Sequence, residues 1–420
     1  MAHLGLLCPA ETGHLNTMLP LGQELQRRGH RVTFFGIVDA KPKVLTAGLE
    51  FCAIGLTQFP AGASEKLFEQ LGKLSGLAAL KYTLAWIEKS ALIFLDEGPA
   101  ILTEAGIDAL LVDQIAPEGG LVADFLDLPF VTICSALPFN QEPTIPPFFT
   151  TWLYNPAWWA VWRNQVVYQL TNPFGKSMQT LRANYRKLWK LPPEISPDSQ
   201  LAVLSHQPAE FEYPRQNLPA YFHFTGPYHN QTSRKQVDFP WDKLNGKPLI
   251  YASMGTLQNQ LTDVFEAIAT ACVGLDVQLV ISLGGANVDS LPALPGNPLV
   301  VSYAPQLALL EQAAVAITHA GMNTALECLT HGVPMVAIPV TNDQPGIAAR
   351  IAWIGAGEIV PLSRLTGARL HTVLKLVLSQ PSYRQNALRL KQSISAAGGV
   401  TQAADLIEQA ISTRKPVFHN

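Results

Sequence analysis

The stretch Val315-Ala-Ile-Thr-His-Ala-Gly-Met-Asn-Thr324 contains the turn on which the fold prediction depends. Its apolar start predicts a short buried strand over residues 315–318, and a helix is favoured from Gly321 onward. The amides and the positive dipole end of such a helix attract an anion, and Gly321 lets the backbone come close to a ligand. The segment therefore predicts either a phosphate-binding turn or a capped helix beside a core histidine, His319.

The same alternation of strand and helix occurs on both sides of this turn, in two series. In the first series, strands are predicted over residues 4–8, 31–37, 109–112 and 130–134, with helices over 15–28 and 118–126. In the second series, strands are predicted over residues 249–253, 278–282, 299–302, 315–318 and 335–338. Such alternation predicts parallel sheets with helices on both faces. The fold prediction is therefore an α/β protein of two Rossmann-like, doubly wound domains that face a central cleft.

Domain boundaries are expected where the alternation stops. Residues 227–247 contain prolines, a charged run and few periodic apolar residues, which is typical of a linker. We therefore expect a first domain over residues 1–230 and a second over residues 245–395. A closing helix over 400–415 follows Gly398-Gly399, and we expect it to pack back on the first domain. Ligands of open α/β sheets bind beyond the carboxyl ends of the strands, so each domain could hold one substrate.

The composition excludes several classes of protein. Of the 420 residues, 48% are hydrophobic and 15% are charged, which excludes an intrinsically disordered chain. The net charge of −3 gives no electrostatic basis for binding nucleic acid. The five scattered cysteines predict neither a disulfide framework nor a metal cluster. With no signal peptide and no apolar run of about 18 residues, we expect a cytoplasmic protein, and contact with a membrane surface stays open.

Two polar residues follow predicted strands of the first series. His14 lies in the loop after the first strand, and Asp113 ends the strand over 109–112. Both positions are at carboxyl ends of strands, so we expect the side chains on one rim of the sheet. Imidazole titrates near neutral pH and can serve as a general base when a carboxylate orients it. The pair predicts a catalytic base, although a histidine in a loop is more often simply solvated.

Aromatic residues concentrate between the two series, in a region rich in proline. The cluster comprises Phe148, Phe149, Trp152, Tyr154, Trp158, Trp159 and Trp162. Adjacent residues such as Trp158 and Trp159 cannot both face one core. Clustered tryptophans also suit a membrane interface. We therefore expect this segment to contact the acceptor or a membrane, with plain core packing as the alternative, and we predict a polar helix near residues 176–190.

Around the opening turn, the sequence resembles the nucleotide-sugar signature of the UDP-glycosyltransferase superfamily. The residues that carry the resemblance are Tyr303, Ala304, Gln306, His319, Gly321, Asn323, Thr324, Glu327, Gly332-Val-Pro334, Asp343 and Gln344. Several motifs in order and at similar spacing make this resemblance specific. It implies a GT-B-type fold and a donor site in the second domain, to which Gln306 and Gly321 also belong.

The resemblance implies a role for each part of the donor site. Tyr303 would stack on uracil, and the backbone of Ala304 would pair with the edge of the base. The diphosphate would be held by His319, Asn323 and Thr324, and by Thr256 in the turn after the strand over 249–253. The ribose would be bound by Glu327, and the sugar hydroxyls by Asp343 and Gln344.

Two residues depart from the superfamily pattern. Tyr303 stands where a tryptophan is usual, which reduces the stacking area but keeps an aromatic face. Ala320 stands where a glycine is usual, so we expect its backbone to fit without a positive φ. Neither change removes a charge or a hydrogen-bond donor from the donor site.

The resemblance further implies an inverting single displacement with UDP-glucose as co-substrate and with no cofactor or metal ion. His14 would deprotonate the acceptor, and Asp113 would stabilise the imidazolium. Residues 113–118, 135–140, 255–258 and 343–346 are similar to those of the carotenoid-glucosylating branch. The acceptor is therefore expected to be small, apolar and hydroxylated, with a carotenoid such as zeaxanthin as first choice. Flavonoid, sterol or macrolide acceptors, a UDP-sugar epimerase and a non-catalytic partner protein that keeps the fold are the alternatives.

Overall fold

The computed structural model describes residues 1–72, 76–228, 237–255 and 262–419, and two parallel sheets organise this part of the chain. The first sheet has the strand order β3-β2-β1-β4-β5-β6-β7. Its strands are β1 (His3–Leu7), β2 (Arg31–Gly36), β3 (Glu50–Ala53), β4 (Ala109–Asp113), β5 (Phe130–Cys134), β6 (Val203–Ser205) and β7 (Phe222–Phe224). Every residue of β1 and β4 is buried, which explains why residues 4–7 and 109–112 contain no polar side chain.

The second sheet repeats this arrangement with the order β10-β9-β8-β11-β12-β13. Its strands are β8 (Leu249–Ser253), β9 (Gln278–Ser282), β10 (Leu299–Val301), β11 (Ala313–Thr318), β12 (Met335–Ala337) and β13 (Gly357–Ile359). In both sheets the strand order reverses beside the first strand, between β1 and β4 and between β8 and β11. Ligands bind at such reversal points, and the expected α/β fold with two doubly wound sheets is confirmed.

Helices cover both sheets. In the first half they are α1 (Thr12–Arg27), α2 (Lys41–Thr46), α3 (Ala63–Gly72), α4 (Gly76–Ala105), α5 (Glu118–Phe125) and α6 (Trp158–Leu188). In the second half they are α7 (Thr262–Cys272), α8 (Gln306–Leu310), α9 (Met322–Thr330), α10 (Gln344–Trp353), α11 (Gly367–Ser379), α12 (Pro381–Ala396) and α13 (Gly399–Thr413). None of the helices in the described ranges is both long and apolar enough to span a bilayer.

The helix α13 returns to the first sheet. Its residues Ala403, Ile407 and Ala410 share one helical face and belong to the same buried cluster as Leu15 and Leu25 of α1. Ion pairs border this contact at the far end of α1. They join Arg28 to Asp405 and Glu408, and His30 to Glu408. The core of the first sheet is therefore completed by residues from the far end of the chain.

A buried ion pair connects the two halves near the cleft. Arg350 of α10 donates from Nε to Glu212 Oε1 at 3.0 Å, and Nη2 donates to the same oxygen. The guanidinium also lies over the ring of Tyr213, 4.3 Å from its centroid. Burial opposes ionisation of Glu212, but the charges of Arg350 and Arg215 outweigh it and lower the pKa of the carboxyl. The loop before β7 is thereby fixed to the second domain.

Three local predictions differ from the structure. The helix α1 begins at Thr12, so His14 lies in its first turn and not in a loop. The predicted polar helix near residues 176–190 is only the end of α6, which starts at Trp158. Pro173 lies on the exposed side of α6, where water can bind the carbonyl that loses its helical partner. The short strands β3, β6, β7 and β13 were not predicted.

Candidate active site

Three polar side chains meet at the carboxyl edge of the first sheet. His14 lies in the first turn of α1, Asp113 ends β4, and Ser135 directly follows β5. His14 Nδ1 is 2.8 Å from Asp113 Oδ2. Ser135 Oγ donates to Asp113 Oδ2 at 2.5 Å and lies 2.7 Å from His14 Nδ1. The other oxygen of Asp113 accepts a hydrogen bond from the amide of Ile115 at 3.0 Å.

This geometry selects one nitrogen of His14 for chemistry. The carboxylate of Asp113 is buried and holds the Nδ1–H of the imidazole, so Nε2 is the atom that can accept a proton. Burial alone would lower the pKa of His14. The charge and hydrogen bond of Asp113, with the charges of Glu11 and Asp343, outweigh burial and raise this pKa to about 9. The site therefore stabilises an imidazolium, the form that a base acquires when it removes a proton.

The turn between β11 and α9 has the conformation of a ligand-binding turn. Gly321 is the N-cap of α9, and the preceding residue, Ala320, has a φ of 64°. The expectation that Ala320 fits without a positive φ is therefore wrong. The chain reverses sharply between strand and helix, and the amide of Ala320 donates to Thr318 Oγ1 at 3.2 Å. A left-handed conformation costs a non-glycine residue about 1–2 kcal/mol, and the fully buried methyl group of Ala320 is small enough for the turn.

His319 is enclosed by two glycines. A Cβ atom on Gly321 would lie 2.5 Å from its Nε2, and one on Gly255 would lie 2.7 Å from the ring. Burial lowers the pKa of His319 to about 4, opposed by a hydrogen bond with the backbone of Ser253. Its Nδ1 is buried and has no hydrogen-bond partner among the described residues. The imidazole is therefore neutral at physiological pH and sits beside the N-terminus of α9, where an anion is favoured.

The turn between β11 and α9, which we call the donor turn because the sequence predicts the donor site there, contacts the helix that carries His14. Asn323 Nδ2 donates to the carbonyl of Gly13 at 2.8 Å, and its Oδ1 accepts from Thr17 Oγ1 at 3.4 Å. Thr324 lies half-buried in the same helical turn. The sequence predicted Asn323 as a phosphate ligand, and the structure adds a contact between the domains, one residue before His14.

A buried chain of hydrogen bonds leads away from this turn. Glu327 is fully buried and accepts from Gln306 Nε2, while Gln306 Oε1 accepts from the hydroxyl of Tyr251 at 2.9 Å. Tyr303 is 53% exposed, and a Cβ atom on Gly285 would lie 2.4 Å from its hydroxyl. Its ring thus rests on a glycine, with surface left for stacking. Half-buried Ala304 follows it in the chain.

The closing motif of the donor signature caps α10. Asp343 is the N-cap residue, and its Oδ2 accepts from the amide of Leu137 at 3.4 Å. Burial raises the pKa of Asp343. Gln344 Oε1 accepts from the amides of Val340 and Thr341 at 2.9 and 3.1 Å. Both residues lie at the cleft, while Thr256, the predicted phosphate contact, lies outside the described residues.

The aromatic cluster divides into two parts. The carbonyl of Phe148 packs against Gly346 of α10, and its ring contacts Phe149 with centroids 5.4 Å apart. Phe148 is therefore part of the interdomain packing, which the sequence favoured less. Trp158 and Trp162 form the second part and are 81% and 64% exposed. Between the two parts, the guanidinium of Arg163 lies over Trp152 and Trp159, at 3.8 and 5.6 Å from the ring centroids.

No group of three or more His, Cys, Asp or Glu side chains that could bind a metal ion occurs among the residues described. The sequence also contained one signal that was not used. Ser135 follows β5 just as Asp113 ends β4, so the rule that selected Asp113 could have selected Ser135. The contact of Asn323 with α1 has no signal in sequence, because its partners lie more than 300 residues away.

Comparison with known proteins assigns the chain to a family of enzymes. The chain belongs to the UDP-glycosyltransferase family, since residues 87–395 match the family described as "UDP-glucoronosyl and UDP-glucosyl transferase". The protein is thus a glycosyltransferase, and the family implies a UDP-sugar donor and an acceptor. The chain is similar to the zeaxanthin glucosyltransferase of Pantoea ananas, with 32% identity over 100% of this chain and 98% of the relative. The zeaxanthin glucosyltransferase of Pseudescherichia vulneris is also 32% identical, over 99% of this chain and 100% of the relative.

Solved structures agree on the architecture. The glycotransferase of kitacinnamycin has a TM-score of 0.76 and 24% identity, over 97% of this chain and 98% of that one. The calicheamicin glycosyltransferase CalG4 has a TM-score of 0.70 and 21% identity, over 99% and 100% of the two chains. The expected GT-B fold and the resemblance to the superfamily are therefore both confirmed.

Proposed function

We propose that this enzyme transfers glucose from UDP-glucose to a hydroxyl group of an apolar acceptor, with inversion at the anomeric carbon. The first-choice acceptor is a hydroxylated carotenoid such as zeaxanthin. The observation that carries the proposal is the 2.8 Å contact between His14 and Asp113 at the cleft, beside the donor turn. The first domain (1–230) would hold the acceptor, and the second (245–395) the nucleotide sugar.

In this mechanism the base acts through Nε2 of His14. The nitrogen takes the proton of the acceptor hydroxyl while the hydroxyl oxygen attacks the anomeric carbon. The bond from that carbon to the UDP oxygen breaks, so UDP leaves with the electron pair. The negative charge of Asp113 stabilises the imidazolium until its proton passes to water. A single displacement from the side opposite UDP converts an α-linked donor into a β-glycoside.

The leaving group would be stabilised by the donor turn. His319, the amides at Gly321 and the side chains of Asn323 and Thr324 surround the N-terminus of α9, where a diphosphate is favoured electrostatically. A neutral His319 can donate one N–H to a phosphate oxygen. These groups would take the place of a metal ion, so activity should persist in EDTA. Loss of turnover in EDTA, restored by Mg²⁺, would contradict the metal-free mechanism.

The rest of the donor has a proposed residue for each part. Tyr303 stacks on uracil while the backbone of Ala304 pairs with its edge, and Glu327 accepts from the ribose hydroxyls. Asp343 and Gln344 bind glucose. The charge of Asp343 contributes to the raised pKa of His14, which supports a sugar-binding end of the cleft close to the base.

The carotenoid acceptor is supported by similarity and by surface chemistry. Both zeaxanthin glucosyltransferases match along the whole of this chain. The loop that follows Ser135 contains apolar side chains. Two of them, Phe139 and Phe148, have ring centroids 5.1 Å apart. An apolar chain whose hydroxyl reaches His14 could lie along this wall.

The deciding experiment incubates the protein with UDP-glucose and, separately, with zeaxanthin, a flavonol, a sterol and a macrolide aglycone, and detects glucosides by mass spectrometry. Zeaxanthin should be converted fastest. Efficient conversion of a flavonol with none of zeaxanthin would reject the carotenoid acceptor and leave the donor and base assignments in place. No product with any acceptor, despite UDP binding, would favour the non-catalytic partner protein.

Variants of two histidines, one in α1 and one just beyond its end, test the base. His14→Ala should bind UDP normally in calorimetry and lose at least about 10²-fold in turnover. His30→Ala is the matched control, because His30 lies just beyond the far end of α1 and contacts Glu408. It should keep wild-type turnover. Equal losses in both variants would mean that the effect is structural.

A further inference from the structure

The exposed side of α6 carries large apolar side chains that the donor and base assignments do not explain. Trp158 and Trp162 lie one helical turn apart and face the same way. Leu170 is 69% exposed two turns further on. Exposed Phe149 and Leu153 precede the helix in the chain. We call Phe149, Leu153, Trp158, Trp159, Trp162 and Leu170 the aromatic face. Scattered exposed apolar residues need no explanation, but a group of this size indicates a binding surface.

The loop and helix that carry the aromatic face are basic in sequence. Residues 135–193 contain a single carboxylate, Glu142, which is buried. The same stretch contains six basic residues, namely Arg163, Lys176, Arg182, Arg186, Lys187 and Lys190. Arg182 and Arg186 are buried, whereas the three lysines are exposed.

Helix geometry aligns two of these lysines with the tryptophans, whereas Lys190 lies beyond the end of α6. Lys176 follows Trp158 by 18 residues and Lys187 follows it by 29, which is close to whole turns at 3.6 residues per turn. One side of α6 is therefore aromatic at its start and basic towards its end. Tryptophan is favoured in the headgroup region of a bilayer, and lysine is attracted by anionic lipids.

We propose that the aromatic face and the exposed Lys176 and Lys187 dock this enzyme on the surface of an anionic lipid bilayer. Docking here is peripheral: the tryptophans enter the headgroup region and the lysines lie over the lipid phosphates. The charge of this side favours an anionic surface over a neutral apolar partner, because Lys176 and Lys187 lie on the aromatic side of α6. The carboxylates Glu194 and Asp124 pair with the buried Arg182 and Arg186 instead.

The aromatic face is connected to the cleft by a single loop. The loop between β5 and α6 starts at Ser135, in contact with His14, and reaches Asp343 through the amide of Leu137. It ends at Trp158, where α6 begins. One loop thus connects the base to the docked helix. If the proposed apolar acceptor is correct, the bilayer supplies it at the edge of the cleft without passage through water.

Co-sedimentation with vesicles tests the docking itself, without any acceptor. Wild-type protein should bind vesicles of phosphatidylcholine with about 30 mol% phosphatidylglycerol more tightly than vesicles of phosphatidylcholine alone. Trp158→Ser/Trp162→Ser should weaken binding to both by at least about tenfold. Lys176→Gln/Lys187→Gln should weaken binding to the anionic vesicles only, by about fivefold per charge. Leu45→Ser/Leu56→Ser, at similarly exposed positions outside α6, is the control that should bind as wild type.

Several results would overturn the docking proposal. The first is that the wild-type protein binds neither kind of vesicle. The second is that the double-tryptophan variant is folded and binds vesicles normally. The third is that light scattering shows a dimer for the wild type and a monomer for this variant. If the tryptophan variant unfolds, the lysine variant decides the question. The lysine variant should also glucosylate a detergent-dispersed acceptor at the wild-type rate. If the wild-type protein binds vesicles but transfers no glucose, the proposed function is rejected and the docking proposal stands.

Discussion

Replacing Asp113 with asparagine should lower the midpoint of the pH profile of turnover by at least about 2.5 units. In the wild-type site, the pKa of His14 is raised from 6.5 to about 9. Only neutral His14 can act as base, so below pH 9 the rate constant should fall about tenfold for each unit of acidification. Without the carboxylate, burial pulls the pKa down while Glu11 and Asp343 still raise it. We expect the midpoint of the Asp113→Asn profile near or below 6.5.

The same change should lower the plateau of the profile. The asparagine amide cannot stabilise the imidazolium and can hold the ring in the wrong tautomer, which costs about 10²–10⁴-fold in rate. A rise in pH should lower the stability of the wild type, although it increases its activity. A histidine with a raised pKa contributes stability below pH 6.5, and this stability is lost as the pH rises through 9. The melting temperature of the wild type should therefore fall over this interval more than that of Asp113→Asn.

The assay is kcat/KM for the acceptor between pH 5.5 and 10 at saturating UDP-glucose, with product separated by chromatography. Calorimetric titration of UDP at each pH is the control for donor binding. A wild-type profile that is flat from pH 6.5 to 9 would refute the reasoning. So would an Asp113→Asn profile whose acid limb stays at the wild-type position.

Three further substitutions test other contacts. Ser135→Ala removes a hydroxyl that bonds Asp113 and His14, so kcat should fall about tenfold with unchanged UDP affinity in calorimetry, and an unaltered kcat would mean that Ser135 does not orient the pair. Glu327→Ala should weaken UDP binding by about 1–3 kcal/mol, and undiminished affinity would count against the ribose assignment. Glu212→Gln leaves the buried charge of Arg350 without its partner, so urea denaturation should show a loss of about 3–5 kcal/mol. A loss below 1 kcal/mol would show that the pair contributes little.

The sequence was sufficient for the sheets because their central strands are short apolar runs between turn signals. It also predicted that His14 and Asp113 lie on one rim, since a residue at the carboxyl end of a strand can be located without tertiary information. The length of α6 was missed because Pro173 and a tryptophan-rich start both count against a helix in local rules. Packing against the rest of the domain overrides such local preferences.

Contacts between the domains were beyond the reach of the sequence. Nothing local indicates that Asn323 bonds the turn before His14, or that Arg350 pairs with Glu212. The φ of Ala320 was predicted with the wrong sign for a related reason. Steric preference disfavours a left-handed alanine, but the need to join β11 to α9 at a sharp angle decides its conformation.

The return of α13 to the first sheet affects the order in which the protein can mature on the ribosome. Domains usually fold as they emerge, starting from the N-terminus. Here the apolar side of α1 stays uncovered until Ala403, Ile407 and Ala410 have been translated, which happens only after the whole second sheet. Until then the nascent first half exposes surface that chaperones recognise. Chimaeras that exchange donor halves between relatives should therefore keep α13 from the parent that supplies the first half.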